Sequence, residues 1–131
     1  MPRILVVEDS MAMRAFVRDA LEADAELGPT EVVEAESGFE ALRLLPRGPW
    51  DLVITDINMP DINGLELLSF IRKSEQHRGV PVLLISTQSS ERDRERGLKL
   101  GADGYLAKPF TPESLREETA RHLTPAASSN G

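Results

Sequence analysis

Three short runs, Ile4-Leu5-Val6-Val7, Leu52-Val53-Ile54-Thr55 and Val82-Leu83-Leu84-Ile85, are built almost wholly from aliphatic and β-branched side chains. Each is too short for a core helix and is closed by polar or turn-forming residues, which suits a strand buried on both faces. Strands of that kind need helices above and below them, and the segments between them supply the pattern. Residues 11–22 put Met13, Val17, Ala20 and Leu21 on one face at helical spacing, with Asp9 or Ser10 as the cap. Gly38 allows a tight turn into a second helix with Phe39, Leu42 and Leu45 inward, ended by Pro46, Gly48 and Pro49. A third helix follows Gly64, with Leu65, Leu68 and either Ile71 or Arg72 facing in. Thr111 caps a last helix that has Pro112 at its first position and Leu115 and Leu123 inward.

Two weaker strands complete the set. Glu31-Val32-Val33-Glu34-Ala35 mixes polar and apolar residues as an edge strand does, and Tyr105-Leu106-Ala107 is a short final one. Between the last two strands Ser89 and Ser90 cap a helix over 91–99 that is mostly charge. Glu91/Arg94, Asp93/Arg96 and Glu95/Lys99 are spaced to pair along its surface. Few apolar residues anchor it, so it is expected to be the least firmly docked. Strand and helix alternate five times, which implies an α/β fold: a doubly wound, five-stranded parallel sheet with five helices and right-handed crossovers. One domain over 1–123 is expected, followed by a disordered tail over 124–131.

A chain of 131 residues with 40% apolar content can form one such core. A net charge of −7 argues against nucleic-acid binding, which normally requires a basic stripe. The absence of cysteine excludes disulfides and thiolate metal sites. No apolar run approaches the length of a membrane span, and the N-terminus enters a strand at once, unlike a signal peptide. The expected setting is cytoplasmic, with no nucleic-acid or membrane partner.

Every chemically capable group lies just past the C-terminal end of a strand: Glu8 and Asp9, then Asp56, Ser86 and Lys108. Singly, each has an ordinary explanation as a cap, a turn residue or a solvated charge. In a parallel sheet, however, those ends open on one edge, where such folds place their ligands. Glu8, Asp9 and Asp56 bring three negative charges together, and Lys108 returns one positive charge. A cluster of that kind needs a further cation to avoid raised carboxyl pKa values or strain. Carboxylates without His or Cys are hard oxygen ligands, which favour Mg²⁺.

The ordered set of Glu8-Asp9, Asp56 with Asn58-Met59-Pro60 and Gly64, Ser86, Gly101-Ala102, Tyr105 and Lys108-Pro109-Phe110 resembles the receiver domain of two-component response regulators. The likeness is to the single-domain, CheY-like chemotaxis type and spans residues 3–123. It implies strand order 2-1-3-4-5, the flavodoxin/CheY-like arrangement. It also implies that Asp56 is the phosphoacceptor for a histidine kinase, catalytically assisted by Lys108 and Ser86. The metal ligands implied are Asp9 and Asp56 by their side chains, Asn58 by its backbone carbonyl, and Glu8 through a water. Ser86 and Tyr105 become the switch pair. A downstream protein is expected at the helix 4/strand 5/helix 5 face, and a monomer is expected before phosphorylation. In the family the bond before the proline that matches Pro109 is cis.

Thr87 stands where the family usually has a very small residue, and Asn58, Thr87 and Gln88 occupy positions that tune phosphate lifetime. Ile57 sits beside the acceptor where some relatives have Trp; the only Trp here, Trp50, is about 20 Å upstream along the strand. A phosphohydrolase of the haloacid-dehalogenase type would carry a second Asp at position 58 and a cap insertion; Asn58 and the short loop depart from that. A phosphate-independent receiver used as a binding module usually lacks one of the acids or the lysine. A flavin carrier would need a phosphate-cradling loop after the first strand, where this chain has Glu-Asp.

Overall fold

Five parallel strands lie in one sheet in the order β2-β1-β3-β4-β5: β1 Arg3–Val7, β2 Glu31–Ala35, β3 Leu52–Asp56, β4 Val82–Ser86 and β5 Gly104–Ala107. This computed structural model describes residues 1–24, 26–86 and 91–128, with side chains described up to Leu123. The helices are α1 Met11–Glu22, α2 Gly38–Leu44, α3 Gly64–Lys73, α4 Glu91–Leu100 and α5 Pro112–Ser128, with a short 3-10 turn, Leu45–Arg47, after α2. Strand order and element count are those expected. β3 and β4 are buried at every position, whereas edge strand β2 is exposed at Glu31 and part-exposed at Val33 and Glu34.

Successive side chains on a strand point to opposite faces, so each central strand feeds two cores. Leu5, Val7, Val53, Val82 and Leu84 pack with Ala41 of α2 and with Leu65, Leu68 and Ile71 of α3. Ile4, Val6, Leu52, Ile54, Leu83 and Ile85 pack with Val17, Ala20 and Leu21 of α1 and Leu115 of α5. Ser10 caps α1 by accepting the N–H of Met13 at 3.2 Å, and Thr111 caps α5 by accepting that of Ser114 at 3.0 Å.

Two local readings are revised and one open choice is settled. Phe39 was expected to face the core but is 63% exposed, while Ala41 and Leu45 take the inward positions. Gly38, at the start of α2, is seated against Ile62, and the next residue lies about 100° further round the helix, which turns Phe39 to solvent. Of Ile71 and Arg72, it is Ile71 that enters the core. Arg72 instead ties two loops together, donating from Nη2 to Gly101 O at 2.7 Å and from Nη1 to Val80 O at 2.7 Å. The last helix runs on to Ser128, five residues beyond the expected end, through Ala126 and Ala127, which favour helix. Residues 129–131 of the expected tail, the proposed caps Ser89 and Ser90, and Thr87 and Gln88 lie outside the described residues.

Helix α4 buries little of its own surface. Gly97 is its one buried residue, and a Cβ there would press on Cδ1 of Leu84. Of its three expected surface pairs, Glu91 and Arg94 stand 3.9 Å apart. Beside it a cavity of about 500 Å³, lined by Asn58, Met59, Asp93 and Arg96 among others, separates α4 from the loop after β3.

Trp50 lies at the opposite edge of the sheet from the acids. Its Nε1–H donates to Leu45 O at 3.1 Å, and the Arg3 guanidinium stacks 4.4 Å from its ring. Its fluorescence is therefore expected to stay nearly constant on addition of Mg²⁺ or on phosphorylation. A strong metal-induced quench in a simple titration would contradict that placement. Among the described residues no helix is long and apolar enough to cross a membrane.

Candidate functional site

Strand alternation decides which polar groups meet. Glu8, one residue past β1, shares the parity of Ile4 and Val6, and Asp56 shares that of Leu52 and Ile54. Lys108, one residue past β5, shares that of Leu106, which packs against the core under α1 and α5. All three therefore lean to the same side of the sheet at its C-terminal edge. Lys108 Nζ donates to Glu8 Oε1 at 2.6 Å and to Asp56 Oδ2 at 3.2 Å. With Asp9, these acids bring carboxylate oxygens within 4.8 Å of one another. Glu8 and Asp56 are 1% and 3% exposed, while Asp9 faces solvent. The peptide bond between Lys108 and Pro109 is cis, as the resemblance implied, and so is that between Gly48 and Pro49.

The electrostatics follow from this crowding. Burial works against the charge of Lys108, but the hydrogen bond to Glu8 and the charges of Asp56 and Glu8 outweigh it and hold the amine above the usual lysine range. Asp9 is pushed above the ordinary aspartate range, first by its hydrogen bond with the Glu8 carboxyl, then by desolvation and by the Glu8 charge. Asp9 thus gives up its proton reluctantly because it faces another acid. Three acids and one ammonium leave two negative charges in excess, all on oxygen. That donor set fits a small, hard divalent cation such as Mg²⁺.

Ser86 and Tyr105 have the other parity and lean toward α3 and α4. Ser86 is fully buried, and its Oγ accepts the Asn58 side-chain amide at 3.3 Å. Its backbone carbonyl accepts the N–H of Lys108 at 2.6 Å. Tyr105 is half-buried against the core that holds Leu84. The structure thus gathers Glu8, Asp9, Asp56 and Lys108 into one cluster. Ser86 adjoins it through Asn58, and Tyr105 stands further along β5.

Two features went unread in the sequence. Asn58 engages Ser86 through its side chain, and its N–H donates to Asp56 Oδ1 at 3.2 Å. Arg14 of α1 donates from Nη1 to the Glu8 carbonyl at 2.8 Å. The available signal for Arg14 was its place in the first turn of α1, just after the Glu8-Asp9 pair; its partner on the neighbouring strand, Glu34, could be found only once the strands were paired.

The sequence profile of the response regulator receiver domain matches residues 4–120. A chemotaxis protein CheY homolog of Campylobacter jejuni is 38% identical over 117 residues, covering 88% of each chain. Chemotaxis protein CheY1 of Helicobacter pylori is 37% identical over 88% of this chain and 92% of its own. Among solved structures, the chemotaxis response regulator CheY4 of Vibrio cholerae superposes with a TM-score of 0.84 at 35% identity, covering 94% of this chain and 99% of its own. The receiver domain of the Francisella response regulator 1452 gives 0.85 at 29% identity, over 96% and 99%. A likeness that runs through nearly the whole chain, in sequence and in fold together, makes this protein a member of the response regulator receiver domain family, regulatory domains of two-component signalling.

Proposed function

We propose that the protein is a phosphorylation switch in which Asp56 takes a phosphoryl group from the phosphohistidine of a histidine kinase, in a chemotaxis or related motility pathway. The observation that carries this reading is the Lys108 ammonium 3.2 Å from Asp56 Oδ2 within a cluster of acids. A carboxylate oxygen of Asp56 attacks phosphorus; the O–P bond forms as the P–N bond breaks, and the electron pair returns to the imidazole of the kinase. Phosphoryl transfer depends on position and charge neutralisation rather than on covalent help. Lys108 lies close enough to shift from pairing with the acids to pairing with the incoming phosphoryl oxygens. Asp9, Asp56 and the Asn58 carbonyl would hold Mg²⁺, with Glu8 acting through a water, and the ion would supply neutralisation of phosphoryl charge. Asn58, with an amide where the haloacid-dehalogenase enzymes carry a second acid, weighs against a phosphohydrolase.

An acyl phosphate carries about 1.5 to 2 negative charges in place of the single charge of the Asp56 carboxylate. Ser86 is the hydroxyl that turns toward them, and Asn58 is the contact it gives up. The space this opens is on the side of the sheet where Tyr105 packs, so the aromatic rotamer and the surface of α4, β5 and α5 report the change to a partner. Full conversion between the two states requires about 5.5 kcal/mol of differential stabilisation.

Incubation with acetyl phosphate and Mg²⁺ is expected to add one phosphoryl group per chain by intact mass, and none to Asp56→Asn. Because protons compete with the metal at Asp9, the Mg²⁺ needed for half-maximal labelling should rise as pH falls through that raised titration. The rise is at most about tenfold per pH unit. Sustained turnover of a phosphomonoester without a stoichiometric label would refute the switch in favour of a hydrolase.

A further inference from the structure

Glu8 is held at every polar atom. Its N–H donates to Ala35 O at 3.0 Å, its Oε1 accepts from Lys108 and its Oε2 accepts the Ser10 N–H at 3.0 Å. The remaining atom, its backbone carbonyl, accepts from Arg14. The first three contacts belong to the sheet ladder, the charge cluster and the loop that enters α1. The fourth comes from a helix residue that none of those requires.

Arg14 is itself fixed. Its side chain is 11% exposed, and its Nε donates to Glu34 Oε1 at 3.1 Å. Glu34 lies on β2 opposite Val6 and also accepts from Arg18 Nη1 at 2.6 Å. The Arg18 hydrogen bond, opposed by burial and aided by Arg14, holds the Glu34 carboxyl below the usual glutamate range, so this anchor is an anion at neutral pH. The chain of contacts runs from β2 through Glu34 and Arg14 to one carbonyl at the lip of the site. A peptide unit is planar and turns as a whole. Fixing the Glu8 carbonyl therefore fixes the direction in which the chain delivers Asp9, the solvent-facing acid of the cluster.

We propose that Arg14 is a positioning residue that orients the Glu8–Asp9 peptide for cation binding, with Glu34 as its brace. This rests on the reading that the acids take Mg²⁺. The sign of the effect separates positioning from charge. Arg14 is a cation beside a cation site, so on Coulombic grounds alone its removal would tighten metal binding. If it acts by orienting Asp9, its removal weakens binding.

The test is calorimetric titration of the full chain with MgCl₂, comparing wild type with Arg14→Gln and Arg14→Lys. Arg14→Gln is expected to weaken affinity about tenfold, the lower range for groups that orient metal ligands. Arg14→Lys, which keeps the charge but lacks a fork to span the carbonyl and Glu34, should also weaken it. The labelling rate at saturating Mg²⁺ should return close to wild type in both. Equal or tighter binding by Arg14→Gln overturns the proposal while leaving the metal reading intact; absence of binding by the wild type overturns the metal reading itself. If Arg14→Gln loses its cooperative unfolding transition, Glu34→Gln decides in its place. Weakened affinity that persists at high salt, where exposed charges are screened, supports the brace, and wild-type affinity overturns it.

Discussion

Lys108→Met is expected to lose about 3 kcal/mol of stability in metal-free buffer at neutral pH, the cost of leaving buried charge without its partner. The two acids it contacts are 1% and 3% exposed, and the lysine side chain is 10% exposed, so water screens the interaction poorly. The sign is set by the raised pKa of the amine. Its stabilising contribution is complete below the ordinary lysine range and is lost only as pH rises through the higher folded-state value. Across neutral pH the wild type should show no trace of that loss. Millimolar Mg²⁺ should restore much of the variant's stability, because the ion supplies the missing positive charge. The labelling rate of Asp56 by acetyl phosphate should still fall by about 10²-fold or more, the usual effect of removing one donor to developing charge. Urea unfolding with and without Mg²⁺ measures the first effect. A variant as stable as wild type without metal would show that the pair contributes nothing to folding.

Gly64→Ala is expected to cost about 2 kcal/mol net and to disturb the same site from the other side. A Cβ at this position would meet the Asp56 carbonyl oxygen, and would stand 2.8 Å from Ile57 Cα and 2.9 Å from the Asp56 carbonyl carbon. These are backbone atoms, so no rotamer change relieves the contact. The loop must move, and with it the residue that follows Asp56. A helix-propensity gain of up to about 1 kcal/mol offsets part of a clash of about 3 kcal/mol. Gly79→Ala is the control: nothing lies within 4 Å of its added carbon, and it should change stability by less than about 0.5 kcal/mol. Thermal unfolding of the two variants side by side checks the contrast. A neutral Gly64→Ala would mean that the loop after β3 is not held tightly against the start of α3.

Those two variants bracket what could be read from the sequence. The strands were legible because Ile4–Val7 and Val82–Ile85 have nowhere to go except between two layers of helix. The cluster was legible because a parallel sheet brings all its C-terminal ends to one edge. Strand parity could have been read as well, and it separates Glu8, Asp56 and Lys108 from Ser86 and Tyr105. Phe39 was misplaced because helical spacing alone cannot tell which of several apolar residues faces in. Its direction is set by Gly38 lying flat on Ile62, a contact between segments far apart in sequence. Arg14 and the Asn58 amide escaped for a related reason. Each spans two elements, and a polar residue shows its partner only when the second element is in place.

Most helices on a sheet are held by side chains that act as knobs and must be withdrawn before the helix can travel. At its single buried point α4 has none, because Gly97 bears on Leu84 with bare backbone, and open volume lies alongside. The contact works as a bearing and not as a latch. Moving this helix calls for sliding Gly97 over Leu84, with Leu65 and Ala102 alongside, and not for emptying a socket, so little packing energy at that point opposes a change in its tilt.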